Sequence, residues 1–243
     1  AARGTELVRL DLIDRDTGRI LPAHAHRGRT YSPGMPGHRY AVRLSNLTGE
    51  RVLVVLSVDG VNAVTGQTAS PEQSGYVLGP WQSTDIAGWR KSLGEVAQFV
   101  FSDHAASYAS RTGRPDNVGV VGIAVFRERQ AVAIAPPSPP APSAPWHARE
   151  APAAPAGDAA GARADTRSRR EAMESSRLGT AHGAREHAPV RHTEFARASR
   201  HPAQVSERHY DSERRLVAIG VIPPPRRIDR HPRAFPVGFV PDP

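Results

Sequence analysis

The clearest indication of fold class in this chain is the run RVLVVLSV at residues 51–58. Apart from Arg51 and Ser57, every residue in this run is apolar, so a strand formed here would be buried on both faces. A Thr-Gly pair precedes the run and Asp59-Gly60 follows it, and Asp-Gly is the favoured pair for a two-residue β-hairpin turn. The run therefore predicts a central β-strand bounded by turns.

Shorter strand patterns surround this central run. In residues 6–13, Val8, Leu10 and Leu12 alternate with polar residues, which is the period of a half-buried strand. Gly and Pro residues separate the other candidates, and no long amphipathic helical pattern lies between them. Residues 5–134 therefore predict an all-β domain, an antiparallel β-sandwich or small barrel. The other strand candidates are residues 40–44, 75–78, 83–86, 97–101 and 118–126.

The composition changes abruptly after Ala135. Six of residues 136–145 are Pro, and Ala, Pro, Gly and Arg dominate as far as residue 165. Such a segment has too little apolar surface to offset the conformational entropy that ordering would remove. We therefore expect a largely disordered tail with three parts: a Pro/Ala/Arg-rich linker at 135–177, a His-rich irregular segment at 178–213, and a Pro-rich end at 214–243 that carries one late strand.

The late strand is expected at residues 216–222. Both of its faces are apolar, so this segment should not be left in water. Antiparallel sandwiches expose edge strands whose free amides accept one further strand. We therefore expect the segment to complete the sheet of its own chain or of a partner, and the expected partners are a second copy, by strand exchange, or another protein. The predicted partner strand consists of Leu216, Val217, Ala218, Ile219, Gly220, Val221 and Ile222.

The net charge of +8 comes from arginine, because Lys91 is the only lysine among 32 basic residues. The arginines alternate with acidic residues and Ala instead of gathering with aromatic residues, so nucleic acid is not an expected partner. No apolar run reaches the roughly 18 residues of a membrane-spanning helix. The absence of cysteine excludes disulfides, thiolate nucleophiles and cysteine-ligated metals, and it leaves the compartment open.

Five segments of the chain resemble a family of uncharacterised proteobacterial proteins. They are YAVRLSNLTGERVLVVLSVDGVN, GYVLGPWQSTDIAGWR, VGVVGIAVFRE, LGTAHGARE and YDSERRLVAIGVI, at residues 40–62, 75–90, 118–128, 178–186 and 210–222. The resemblance covers most of the chain outside the Pro-rich linker. It implies a β-rich domain followed by a Pro/Ala/Arg-rich tail, and it implies no activity, ligand or catalytic residue.

Three histidines in the tail are candidate metal ligands. His182, His187 and His192 carry imidazoles, which commonly bind zinc, nickel or copper. Their spacing of five does not keep one face of a helix, and Gly183 and Pro189 lie between them. The pattern therefore favours irregular chain over a metal site.

An aromatic group in a turn-rich region is the other candidate site. Tyr76, Trp81 and Trp89 either plug the end of the sandwich or line a binding surface. If they are exposed, the neighbouring Gln82 and Arg90 join them as ligand-binding candidates.

The sequence contains no nucleophile elbow, phosphate-binding loop or dinucleotide-binding glycine pattern. We therefore predict a non-enzymatic binding or structural β-sandwich protein that uses no cofactor. Two alternatives stay open: a ligand-binding or adhesion module built on the aromatic group, and a metal-dependent enzyme built on the histidines.

Overall fold

The computed structural model describes residues 6–130 and 177–224. Within these ranges, fourteen β-strands form two seven-stranded sheets, and both α-helices are short. The predicted all-β fold class is confirmed. The predicted linker lies outside the described residues except for residue 177, and so does the Pro-rich end from residue 225. No helix within the described ranges has the length and apolar character needed to cross a membrane.

The strands of each sheet come from the whole described chain. The first sheet contains β1 (Val8–Asp14), β2 (Arg19–Ile20), β5 (Arg39–Asn46), β9 (Ser83–Ile86), β10 (Gly88–Arg90), β11 (Glu95–Asp103) and β13 (Leu178–His187). The second sheet contains β3 (His24–His26), β4 (Arg29–Gly34), β6 (Val52–Val58), β7 (Val61–Asn62), β8 (Tyr76–Leu78), β12 (Val120–Arg127) and β14 (Gln204–Ser212). The helices are α1 (Tyr108–Arg111) and α2 (Glu213–Ala218).

Strand pairing is antiparallel throughout, except that β14 runs parallel to β4. In the second sheet, β6 lies between β12 on one side and β7 and β8 on the other. The predicted central strand is therefore present, and its residues 52–56 and 58 are buried. The turn after it has positive φ at both Asp59 and Gly60, as a mirror-image hairpin turn requires.

The core lies between the two sheets. One face of β6 packs there with the inward residues of β1, β5 and β12. The other face carries Leu53 and Val55, which pack under Phe126 of β12 and Phe195 of the tail. Burying a large aliphatic side chain contributes about 1.5–3 kcal/mol before entropy is counted. Because both faces of β6 are covered, its unbroken apolar sequence is explained.

Two strands of the tail belong to the sandwich. β13 pairs with β11 along most of its length, with one register shift between Ala97 and Phe99. β14 lies between β12 and β4. The prediction that residues 178–213 are irregular was therefore wrong for 178–187 and 204–212. The sandwich predicted at residues 5–134 extends into the tail.

Close packing of β13 depends on two glycines. A Cβ atom on Gly179 would lie 2.5 Å from Cβ of Ser107, and one on Gly183 would lie 2.7 Å from Cγ2 of Val100. Such distances are too short for carbon atoms, so only glycine allows β13 to approach this closely. Glycine lowers the strand propensity of the sequence, which is why the pattern predicted irregular chain.

Residues 216–222 do not form the predicted strand. Helix α2 includes residues 216–218, and a turn follows it. The helix begins because the Ser212 side chain accepts a hydrogen bond from a backbone N–H of the first turn, at 3.3 Å. It ends because Gly220, at φ +77°, takes the left-handed conformation that terminates helices. Leu216 and Val221 are buried, so the segment removes apolar surface from water without joining a sheet.

Candidate functional site

A cavity of about 620 Å³ lies where β8 of the second sheet faces β9 and β10 of the first. Tail residues 189–195 form part of its wall. Its volume falls within the range of about 300–1,000 Å³ that is typical of small-molecule sites. A larger, more open hollow of about 850 Å³ beside Glu72 and His201 is lined mostly by exposed side chains. The less open cavity beside β8, β9 and β10 is therefore the better candidate site.

About half of the residues that line the cavity are apolar. Leu44, Leu78 and Ile86 are buried side chains of β5, β8 and β9, and they extend the sandwich core into the wall. The other apolar side chains of the lining are Leu53, Val64, Val77, Leu93, Pro189, Val190 and Phe195. The cavity is suited to hold an apolar group.

Two polar groups stand out in this wall. The Tyr76 hydroxyl and Nε of Arg90 are buried, and neither makes a well-formed hydrogen bond to another described residue, although the Arg90 side chain lies close enough to the hydroxyl to interact with it. Burial raises the pKa of Tyr76, and the positive charge of Arg90 and its hydrogen-bonding contact with the hydroxyl offset part of this rise. Native proteins leave few buried polar groups unpaired, so two at one cavity need an explanation.

The rest of Arg90 is held firmly in place. Its backbone N–H donates to the Ala63 carbonyl at 2.7 Å, and its Nη1 donates to the carbonyl of Ala188 in the tail. Strand β10 pairs Arg90 with Val96 of β11. The position of the unpaired Nε is therefore fixed by both sheet and tail.

Gln82 also lines the cavity, but its amide is already engaged. Its Oε1 accepts from the Gly79 backbone N–H at 2.8 Å, and its Nε2 donates to the Thr84 hydroxyl at 3.2 Å. These bonds hold the turn between β8 and β9. Gln82 therefore shapes the wall and offers less to a ligand than Tyr76 and Arg90 do.

The two tryptophans of the predicted aromatic site are placed elsewhere. Trp81 is 70% exposed and has φ of +57° in the turn before β9. Trp89 is 2% exposed and packs edge-on against Phe99 at 4.8 Å between ring centroids. Neither lines the cavity, so the structure joins only Tyr76, Gln82 and Arg90 of the five predicted residues.

The three tail histidines are not brought together. His182 lies on β13, with its ring 6.4 Å from that of Trp89, and burial lowers its pKa. His187 ends the same strand, and His192 lies at the cavity wall. Among the described residues, the side chains close enough to share a metal ion do not include these three.

The group that does lie close enough is Asp14, Asp16 and His38, which the sequence did not indicate. His38 Nδ1 is 2.8 Å from an Asp14 carboxylate oxygen, and Asp16 pairs with the Arg39 guanidinium. Burial acts to raise the pKa of Asp14, but hydrogen bonds from His38 and from backbone N–H groups outweigh it and lower the pKa. Because the chain supplies partners for both carboxylates, the group is explained as a network that holds the start of β5 against the end of β1.

A buried carboxylate joins the tail strands to the rest of the sandwich. One oxygen of Asp59 accepts from the Tyr210 hydroxyl at 2.6 Å and from the Gly119 N–H at 2.9 Å. The other oxygen accepts from the Thr180 N–H at 2.7 Å. The Thr180 hydroxyl lies 2.6 Å from the hydroxyls of both Tyr210 and Tyr40. Burial raises the pKa of Asp59 to about 6, although the hydrogen bonds oppose the rise.

Comparison of the chain with models of protein families, with curated proteins and with solved structures found no match. The resemblance to a proteobacterial family therefore stays a prediction.

Proposed function

We propose that this chain is a non-enzymatic binding protein that holds a small molecule in the cavity beside β8, β9 and β10. The observation that supports this most directly is the pair of unpartnered buried groups, the Tyr76 hydroxyl and Nε of Arg90. An unsatisfied buried polar group destabilises a fold by about 1–3 kcal/mol. A ligand that pairs with both groups would remove this destabilisation when it binds.

The chemistry of these two groups favours binding over catalysis. A general acid or base works best when its pKa lies near the working pH. Burial moves the pKa of Tyr76 further from neutrality, and an arginine does not lose its proton in proteins. Both groups therefore act as fixed hydrogen-bond partners.

The tail contributes a wall of the proposed site. The Ala188 N–H donates to the Gly94 carbonyl at 2.8 Å, and the Val190 N–H donates to the Leu93 carbonyl at 2.8 Å. These bonds extend the contact between β13 and β11 up to the cavity. A bound molecule would therefore touch both parts of the described chain.

Binding of the apolar fluorescent anion 8-anilinonaphthalene-1-sulfonate tests the proposal. Thr84 lines the cavity and is half-buried, whereas Ser83, the preceding residue of β9, is exposed and does not line it. We expect Thr84→Trp to fill the cavity and weaken binding of the dye at least about tenfold, equivalent to about 1.4 kcal/mol. Ser83→Trp adds the same side chain outside the cavity and should leave binding unchanged. Equal binding by the two variants would refute the proposal.

A second proposal concerns partners, and the pairing of β13 and β14 supports it. Every strand that pairs with them lies before residue 131. The same contacts can form within one chain or between two copies. We propose that concentrated chains exchange these strands and form a dimer, which light scattering after refolding at high concentration would detect.

A further inference from the structure

We infer that the ligand of this cavity is a small amphipathic monocarboxylate, with its carboxylate at Arg90 and Tyr76 and its apolar body among Leu44, Leu78 and Ile86. This inference rests on the proposed function, because it specifies the molecule that the cavity binds.

The unpaired groups require a hydrogen-bond acceptor. Nε of Arg90 can only donate, and Nη1 of the same side chain already donates to Ala188. The Tyr76 hydroxyl can donate as well. Two donors side by side match the two oxygens of a carboxylate, and a guanidinium is the group that binds carboxylates most specifically.

The charges around the cavity favour an anion. Arg90, Arg191 and Arg197 line it, whereas Glu72 is the only acidic residue in the lining. Glu72 is exposed and interacts with Ser70, and Arg197 is held by the carbonyls of Pro71 and Gln73. Arg90 therefore remains the cation closest to the unpaired hydroxyl.

The number of donors favours a carboxylate over a phosphate. A phosphate group carries up to two charges and three oxygens, each a strong acceptor. The unpaired donors buried at this cavity are the Tyr76 hydroxyl and Nε of Arg90. They match one singly charged group, and the apolar lining from β5, β8 and β9 matches a hydrocarbon body next to it.

Calorimetric titration of the full chain with octanoate, octanol and octylammonium tests the inference, because these probes share a body and differ in head group. We expect octanoate to bind at least about tenfold more tightly than octanol, as a charge-assisted pair implies. Octylammonium should bind most weakly, since it places a cation against Arg90. Tyr76→Phe keeps the ring and should weaken octanoate about tenfold without changing octanol. Arg90→Gln should also weaken the binding of octanoate.

Matched controls separate the head-group contact from general effects. Tyr31→Phe removes a hydroxyl away from the cavity, and Arg43→Gln removes a guanidinium that pairs with Asp85. Both variants should bind octanoate as the unaltered chain does. If Arg90→Gln does not fold, Tyr76→Phe carries the test alone.

The possible results separate a failure of the carboxylate assignment from a failure of the proposed binding function. If octanol binds as tightly as octanoate, or if Tyr76→Phe weakens both probes equally, the carboxylate assignment is overturned. Binding of the fluorescent dye without binding of octanoate would also overturn it, while leaving the cavity as a binding site. If neither the dye nor any octyl probe binds, the proposed function itself fails.

Discussion

The burial of Asp59 makes the stability of the fold depend on pH. Its carboxylate is fully buried and, among the described residues, its hydrogen-bond donors are all neutral groups. Burial therefore raises its pKa from the ordinary 3.8 to about 6. A group whose pKa is higher in the folded state than in the unfolded state stabilises the fold when it is protonated. This contribution is complete below pH 3.8 and is lost as the pH rises through about 6.

We expect Asp59→Asn to change the pH dependence of stability. The asparagine side chain has nearly the same shape and does not titrate. Between pH 4 and pH 7, the free energy of unfolding of the unaltered chain should fall relative to that of Asp59→Asn by about 2 kcal/mol, because each pKa unit corresponds to about 1.36 kcal/mol and this range covers most of the shift. Chemical denaturation at several pH values measures this difference, and other titrating groups cancel because both proteins share them. Parallel profiles would show that Asp59 has an ordinary pKa.

Strand β14 is attached to the sandwich by polar side chains that point inward. Oε1 of Gln204 accepts from the backbone N–H groups of Leu7 and Val8 at 2.6 and 2.9 Å, and its Nε2 donates to the Val8 carbonyl at 2.7 Å. Arg208 donates to the Leu10 carbonyl at 3.0 Å. These side chains bind backbone groups of β1 and the residue before it, across the sandwich. The side chains of Gln204 and Arg208 therefore satisfy backbone groups of Leu7, Val8 and Leu10 that a neighbouring strand would otherwise pair with.

We expect Gln204→Met to lower the free energy of unfolding by about 2 kcal/mol or more, because it leaves backbone groups of Leu7 and Val8 without partners. Glu207→Met is the matched control, since Glu207 lies on the same strand with an exposed side chain. Its effect should stay within about 0.5 kcal/mol. Urea denaturation measures both. Similar losses in the two variants would mean that the contact between Gln204 and β1 contributes little.

An element could be predicted from the sequence when the residues that it buries are themselves apolar. β1 and β6 bury apolar residues, so alternation was sufficient to predict β1 and an unbroken apolar run was sufficient to predict β6. β14 directs Gln204, Arg208 and Tyr210 inward instead, with Tyr210 buried and the other two partly buried, and its polar pattern is typical of a loop. Residues 216–222, of which 216–218 belong to α2, were predicted as a strand from their apolar residues, and the capping residues Ser212 and Gly220 were not taken into account.

The candidate site was predictable only in part, for a related reason. The sequence grouped Tyr76, Gln82 and Arg90 because they lie within one turn-rich region, and the cavity uses all three. It could not show that the tail closes the cavity, since residues 189–195 are distant in sequence. The hydrogen-bond network around Asp59 could not be predicted for the same reason. Its partners Thr180 and Tyr210 follow Asp59 by more than one hundred residues, and no local pattern marks such a contact.

At the scale of the whole molecule, the sandwich is completed by two strands that follow residues 131–176 in the sequence, β13 and β14. β13 covers the edge of β11, and β14 separates β12 from β4. The Asp59 network lies between these strands, so the tail supplies hydrogen bonds as well as apolar cover. Without the tail, edges of both sheets and a buried carboxylate would be exposed. The tail of another copy can supply the same contacts as the chain's own tail. The protein concentration therefore determines the proportions of monomer and strand-exchanged dimer.

Exchange of β13 between copies can be detected by a disulfide, because the chain contains no cysteine. Val100 of β11 pairs with Ala181 of β13, which is close enough for a disulfide across a strand pair. We expect an equal mixture of Val100→Cys and Ala181→Cys chains, refolded together at high concentration, to form a disulfide-linked heterodimer. Refolding in dilute solution should give mostly monomer, since pairing within one chain does not depend on concentration. Mixing the two proteins after folding is the control, because exchange then requires unfolding first. Absence of the heterodimer at every concentration would show that the tail strands pair only within their own chain.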